Sequence, residues 1–192
     1  METVLCICAT ASWSISLPMT TWVLFAGLPG TGKSTLAKVL AERLGAAVLD
    51  KDRVRGALFP GLLTDYSTGQ DQLCMRAMLK AAVYLTERRR ANYIFFDGRT
   101  FSTRAQIEEV LSAAAKVGAR WRILHLVCAD AVAEGRLARS DPEHPAQNRD
   151  PALYRTIKQR FEPILCAKLE VDTTSGAERQ LEAVEAYLVG EA

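Results

Sequence analysis

The sequence predicts an α/β fold built on a parallel sheet, and two observations carry that expectation. From Trp22 onward, short apolar strand-like runs alternate with segments whose apolar residues recur at helical spacing. The first run, Trp22 to Ala26, also feeds a glycine-rich loop, Gly27 to Ser34 (GLPGTGKS), that opens directly into a helix carrying Leu36, Ala37, Leu40, Ala41 and Leu44. At 192 residues, 49% hydrophobic and 24% charged, the chain is one domain of ordinary size with a real core.

Ahead of the first strand, residues 1–21 mix Val4, Leu5, Ile7, Trp13 and Ile15 with Thr3, Thr10, Ser12, Ser14 and Ser16. A spanning helix needs about 20 mostly apolar residues, and an export signal opens on positive charge where this chain has Glu2. No membrane segment is expected. The reading is a poorly ordered leader, 1–21, before a domain over 22–192; Met19 also allows an over-long start, and an extra edge strand is the third possibility.

The other elements follow in order. Gly45 ends the first helix, and Ala46 to Leu49 reads as the second strand, closing on Asp50. A short helix is expected over Arg53 to Phe59, stopped by Pro60-Gly61, then a loop from Leu62 to Gly69 and a long helix from Asp71 to Arg89. Tyr93 to Phe96 is the third strand. Ser102 or Thr103 caps a helix to Val117, ended by Gly118. Trp121 to Val127 is the fourth strand, with Asp130 capping a helix to Arg139. Residues 140–149 are polar and irregular, and Pro151 sits at the first position of the next helix. Leu169 to Asp172 is the fifth strand and Ala177 to Val189 the last helix.

The loop fits the pattern of glycine, four free positions, then Gly-Lys-Ser. Glycines let the backbone turn its N–H groups toward an anion, and the helix N-terminus adds partial positive charge. Gly27, Pro29, Gly30, Thr31 and Gly32 would form the cradle. Lys33 would reach the β- and γ-phosphates of ATP, the Ser34 hydroxyl would ligate Mg²⁺, and Thr35 would bond the α-phosphate. In an open α/β sheet, ligands sit beyond the carboxyl ends of the strands. Those ends carry Asp50-Lys51-Asp52, Asp97-Gly98-Arg99 and Asp172-Thr173-Thr174.

Asp97, after four apolar residues, has the place of the acid that holds Mg²⁺ with Ser34. Asp50 and Asp52, on extended chain, would point the same way, one as proton acceptor and the other holding the acceptor molecule or metal. Arg55 would orient the acceptor or the transferring group. Arg136, Arg139 and Arg149 border the irregular segment and suit a lid over the nucleotide. Arg99 and Arg104 are candidates for the acceptor pocket, with Tyr66, Gln70 and Gln72 chosen on position alone. His125, mid-strand, is expected to be packed, and the Arg88-Arg89-Arg90 run to serve a helix end.

At these residues the chain resembles the small P-loop kinases related to polynucleotide 5′-kinase, chloramphenicol phosphotransferase, gluconate kinase and adenylylsulfate kinase. The likeness rests on GLPGTGKST, the D-x-x-R of Asp52 and Arg55, the strand ending in Asp97, the lid arginines and Val171 to Thr173, and covers Trp22 to Val189. It implies a P-loop NTPase fold, a five-stranded parallel sheet sandwiched by helices with an arginine-bearing lid. It also implies ATP–Mg²⁺ phosphoryl transfer, Asp52 as general base, and Thr173 and Thr174 near the adenine. Departures narrow the match: DGRTF replaces the DGFPR of nucleoside monophosphate kinases, and Gly98 stands where many ATPases carry a second acid.

The expected function is therefore transfer of the γ-phosphate to a hydroxyl of a small molecule such as a sugar, nucleoside or antibiotic. A polynucleotide 5′-hydroxyl is the alternative acceptor, and an ATP-binding regulator without an ordinary metabolite acceptor is the third. The net charge of +2 argues mildly against nucleic acid. Five cysteines without a C-x-x-C pair form neither a zinc site nor a disulfide framework, which points to a reducing cytoplasm.

Overall fold

The computed structural model describes residues 19–139, 150–176 and 180–190. The first strand, β1 (Thr21–Ala26), is buried at every position, and it runs through the middle of the sheet. Strand β2 (Ala47–Asp50), β3 (Tyr93–Asp97), β4 (Arg120–Val127) and β5 (Leu169–Asp172) complete the order β2-β3-β1-β4-β5, with every pairing parallel. Parallel neighbours need crossovers, and helices α1 (Lys33–Leu44), α2 (Lys51–Leu58), α3 (Thr68–Glu87), α4 (Arg104–Lys116), α5 (Asp130–Ala138), α6 (Pro151–Gln159) and α7 (Leu181–Val189) lie between and after the strands.

The two-residue alternation of the strands divides the core into two layers. Trp22, Leu24, Ile94, Phe96 and Ile123 face α3 and α4, packing on Met75, Met78, Ile107 and Val110. Val23, Phe25, Phe95, Leu124 and Val171 face the other way, onto Leu36 and Leu40 of α1 and Val184 and Leu188 of α7. Trp22 is fully buried, and its indole N–H donates to Thr86 Oγ1 at 2.9 Å, so the one polar atom of the ring is satisfied.

Several boundaries differ from the sequence expectation, each for a local reason. Thr20 and Thr21 belong to the domain, not to a leader: both are buried, Thr20 Oγ1 donates to Ala91 O, and Thr21 N donates to Asn92 O. Residues 1–18 lie outside the described residues, as do 140–149, which include the irregular segment, Arg149 and His144. Helix α2 starts at Lys51 because Asp50 caps it, and α3 starts at Thr68 because Ser67 Oγ accepts from Gln70 N. Asp130 is not a cap. It is the first residue of α5 and instead accepts from Tyr154 Oη at 2.8 Å and from Lys158, tying α5 to α6. His125 is packed as expected, stacked on Phe161 with Nδ1 3.3 Å from Glu170, and burial lowers its pKa. Among the described residues no helix is long and apolar enough to cross a membrane.

Candidate active site

The glycine-rich loop leaves the carboxyl end of β1 in a shape that only glycine supports at two points. Gly27 has φ +140°, and a Cβ there would lie 2.3 Å from the Leu126 carbonyl oxygen of β4. Gly30 has φ +78°, and its Cβ would lie 2.7 Å from the Ala133 oxygen of α5. Both obstacles are backbone and cannot swing aside. Gly27→Ala is therefore expected to cost about 1–3 kcal/mol from the dihedral alone, with more from the clash. A urea midpoint equal to wild type would contradict this account of the loop.

The loop is also held from outside. Thr173 Oγ1, at the end of β5, donates to Thr31 O at 2.9 Å. Arg136 of α5 donates through Nη1 to Gly30 O (3.2 Å) and through Nη2 to Thr173 O (2.8 Å), so it clamps loop and strand end together. Thr174 Oγ1 accepts from Ala129 N at 3.1 Å. Arg139 is elsewhere: it is the exposed C-cap of α5. Lys33 folds back over the loop, its Nζ 2.9 Å from Gly27 O and 2.7 Å from Leu28 O. Helix α1 begins here with Gly32 as N-cap and no side chain capping it, which leaves first-turn N–H groups for an anion.

Asp97 ends β3, the strand beside β1, and so stands next to the loop. It is buried, its Oδ1 has no hydrogen-bond partner, and burial pushes its pKa up against the pull of Ser34 and of Gly98 N–H. A buried, partnerless carboxylate oxygen beside a hydroxyl suits a hard cation with oxygen ligands. Among the described residues no three His, Cys, Asp or Glu side chains gather as a metal cage. Asp97 and Ser34 would thus supply two oxygen ligands, leaving the remaining positions to nucleotide phosphates and water.

The loop opens onto a cavity of about 390 Å³ whose far end is formed by α2, α3 and the turn after β3. Asp52 sits in the first turn of α2, with Arg55 Nη1 2.9 Å from its Oδ1. Arg55 is buried, lies under the Tyr66 ring at 5.0 Å, and also contacts Asp71 of α3. Lys51 Nζ donates to the same Asp71 oxygen at 3.0 Å and lies 4.0 Å from Asp52. Two cations and two carboxylates thus alternate around a ring, with Asp71 as its tie to a second helix. Asp71 does not stand out in sequence, and Lys51 does so only by its place at a strand end between two aspartates.

Other expectations for this end are corrected. Asp50 and Asp52 do not share one extended face. Asp50 Oδ1 accepts from Asp52 N (2.8 Å) and Arg53 N (3.3 Å) as the α2 cap, and Asp50 does not line the cavity. Gln70 closes its own loop, bonding Asp65 N and Leu63 O, and Gln72 is exposed on α3 away from the cavity. Arg104 begins α4, exposed, with its backbone N–H on Glu162, and is likewise outside. Arg99 is inside: buried, 3.2 Å from Glu109, and on the cavity wall.

Burial lowers the Lys51 pKa from the ordinary 10.5 to about 8, against the opposing pull of Asp52. Between those values the unfolded chain binds more protons than the folded one, so this group makes stability rise with pH over that window. Lys51→Met should remove that rise in urea titrations from pH 8 to 10.5. An identical pH slope in both proteins would count against a desolvated ammonium.

Comparison with known proteins agrees with this architecture. A family model described as an AAA domain, AAA_33, matches residues 23–164, well over half the chain. No curated protein matches the sequence. Among solved structures, the APS kinase CysC of Mycobacterium tuberculosis, in complex with AMPPNP and APS, superposes with a TM-score of 0.66 at 18% identity, covering 91% of this chain and 100% of that one. A sugar kinase from Janibacter sp. HTCC2649 gives 0.65 at 17% identity, covering 88% and 94%. A gluconokinase from Sinorhizobium meliloti 1021 gives 0.63 at 14% identity, covering 90% and 93%. The fold is the P-loop kinase fold.

Proposed function

The chain belongs to the AAA domain family AAA_33, and from that premise we propose that it transfers the γ-phosphoryl group of ATP to a hydroxyl of a small molecule. The observation that carries this reading is a single cavity lined at one end by Lys33, Ser34 and Thr35 and at the other by Asp52 and Arg55. A phosphate cradle and a carboxylate facing one space are the two parts that hydroxyl phosphorylation needs.

In this reading the loop amides and Lys33 hold the nucleotide's phosphates, and Arg136 keeps the loop in register with Thr173 and Thr174 on the adenine side. Mg²⁺, held by Ser34 and Asp97, would supply charge neutralisation on the β- and γ-oxygens. The acceptor hydroxyl loses its proton to Asp52 while its oxygen bonds to the γ-phosphorus. The bond from that phosphorus to the bridging oxygen breaks, and ADP leaves. Arg55 fixes the Asp52 carboxylate and, with Tyr66, forms part of the acceptor wall. The scatter of the five cysteines in the sequence, without a C-x-x-C pair, fits a protein of a reducing cytoplasm.

The test is ATP consumption across sugars, nucleosides, antibiotics and 5′-hydroxyl oligonucleotides, with products identified by mass. A phosphorylated small molecule supports the reading. A phosphorylated oligonucleotide moves the acceptor to nucleic acid, and ATP binding without any product points to a regulator.

A further inference from the structure

The acceptor end of the cavity has two unlike walls. On one, α2 and α3 supply both lining carboxylates, and each already has a cation: Arg55 on Asp52 at 2.9 Å and Lys51 on Asp71 at 3.0 Å. The rest of this end is lined by the turn after β3, which lies directly against the start of α2 (a Cβ on Gly98 would meet Lys51 N at 2.9 Å), by the start of α4 and by the end of α6. These segments contribute Arg99, Thr100, Ser102, Gln106 and Arg160, two cations and three neutral polar residues, with no carboxylate. The Glu109 that pairs with Arg99 is on α4 outside the lining, with its side chain 39% exposed, so solvent weakens that pair.

Arg99 is an expensive residue to keep in this place. It is 8% exposed, its Nε has no hydrogen-bond partner, and burial lowers its pKa. The turn that presents it has φ +76° at Gly98 and φ +50° at Phe101, a non-glycine in the left-handed region. Burying a guanidinium and straining the turn beside it are both destabilising, and such features persist where a ligand uses them. Arg160, at the end of α6, is exposed at the rim of the same wall.

We infer that the acceptor is a hydroxyl compound that also carries an anionic group (carboxylate, phosphate or sulfate), seated on Arg99 and Arg160 while its hydroxyl faces Asp52. The inference rests on the phosphotransferase reading. It selects acids and phosphate or sulfate esters over neutral sugars, nucleosides and uncharged antibiotics, because an anion would give Arg99 a counter-charge inside the cavity, which the solvent-weakened Glu109 pair outside the lining does not.

The experiment first saturates the protein with Mg²⁺ and a non-hydrolysable ATP analogue, so that the phosphate loop is occupied. Acetate, inorganic phosphate and sulfate are then titrated calorimetrically into wild type, Arg99→Met and Arg160→Ala. Wild type should bind at least one of the three, which identifies the anion class. Arg99→Met should weaken that binding about 10- to 100-fold, the worth of a charged hydrogen bond. The exposed Arg160→Ala variant should weaken it less and keeps the test alive if Arg99→Met does not fold. Turnover is compared within the pairs glucose and gluconate, and adenosine and its 5′-monophosphate, the charged member being favoured. Absence of anion binding with the analogue still bound, unchanged binding in both variants, or preference for the neutral members overturns the inference alone. Failure to bind the analogue overturns the phosphate-loop reading and the inference with it.

Discussion

Lys33→Ala is expected to abolish phosphoryl transfer while leaving the protein folded. The ammonium group sits 2.9 and 2.7 Å from the carbonyl oxygens of Gly27 and Leu28, across the mouth of the loop. Those two bonds hold it on the loop, at the end of the cavity that it lines with Ser34 and Thr35. An ammonium aimed at charge that develops during transfer is worth about 2.7–4 kcal/mol, or two to three decades in rate; its further share in holding the ground-state phosphates compounds that loss. The fold should survive because the core layers on both faces of the sheet do not include Lys33. Turnover per enzyme, measured by ADP release, should fall to background with a melting temperature within a few degrees of wild type. Normal turnover in the variant would remove the loop from the chemistry.

The sheet was legible because its signal is strong and local. Apolar runs bounded by Gly, Asp and Asn locate all five strands, and the Leu169–Asp172 strand matches residue for residue. Caps were less so. Asp50 and Asp130 both precede helical patterns, yet Asp50 caps α2 while Asp130 faces Tyr154 and Lys158 of α6, a choice that depends on a helix twenty residues downstream. The site divides the same way. The loop, Asp97 and the Asp52–Arg55 pair are readable because their partners are near in sequence or tied to a strand end. Lys51 and Asp71 form their bond across twenty residues, and Arg160 reaches the cavity only because α6 packs beside it. No spacing rule registers such contacts. Arg104 and Gln72 show the converse: sequence places them near the acceptor segment, but helix phase points them outward. One signal was available for Lys51, a cation following a strand end between two aspartates, and a strand-end rule applied to bases as well as acids would have found it.

Asp52→Asn is expected to lower kcat by about two to four decades, the usual worth of a positioned general base, with KM for ATP near wild type. Asparagine keeps the size of the side chain and an oxygen that can accept from Arg55, so the ring through Lys51 and Asp71 can persist; what it lacks is the capacity to take a proton. The phosphate loop belongs to β1 and α1, whereas Asp52 belongs to α2, so nucleotide affinity and proton transfer are separable by mutation. Asp50→Asn is the internal control. Asparagine caps a helix as well as aspartate does, so both melting temperature and kcat should stay close to wild type if Asp50 only accepts from Asp52 N and Arg53 N. The two carboxylates are two residues apart and differ by one negative charge each when mutated, which cancels any general effect of charge loss near the phosphates. A drop in kcat confined to Asp52→Asn would therefore report position and proton acceptance, while the same drop confined to Asp50→Asn would transfer the base to the strand end and leave Asp52 as a partner of Arg55.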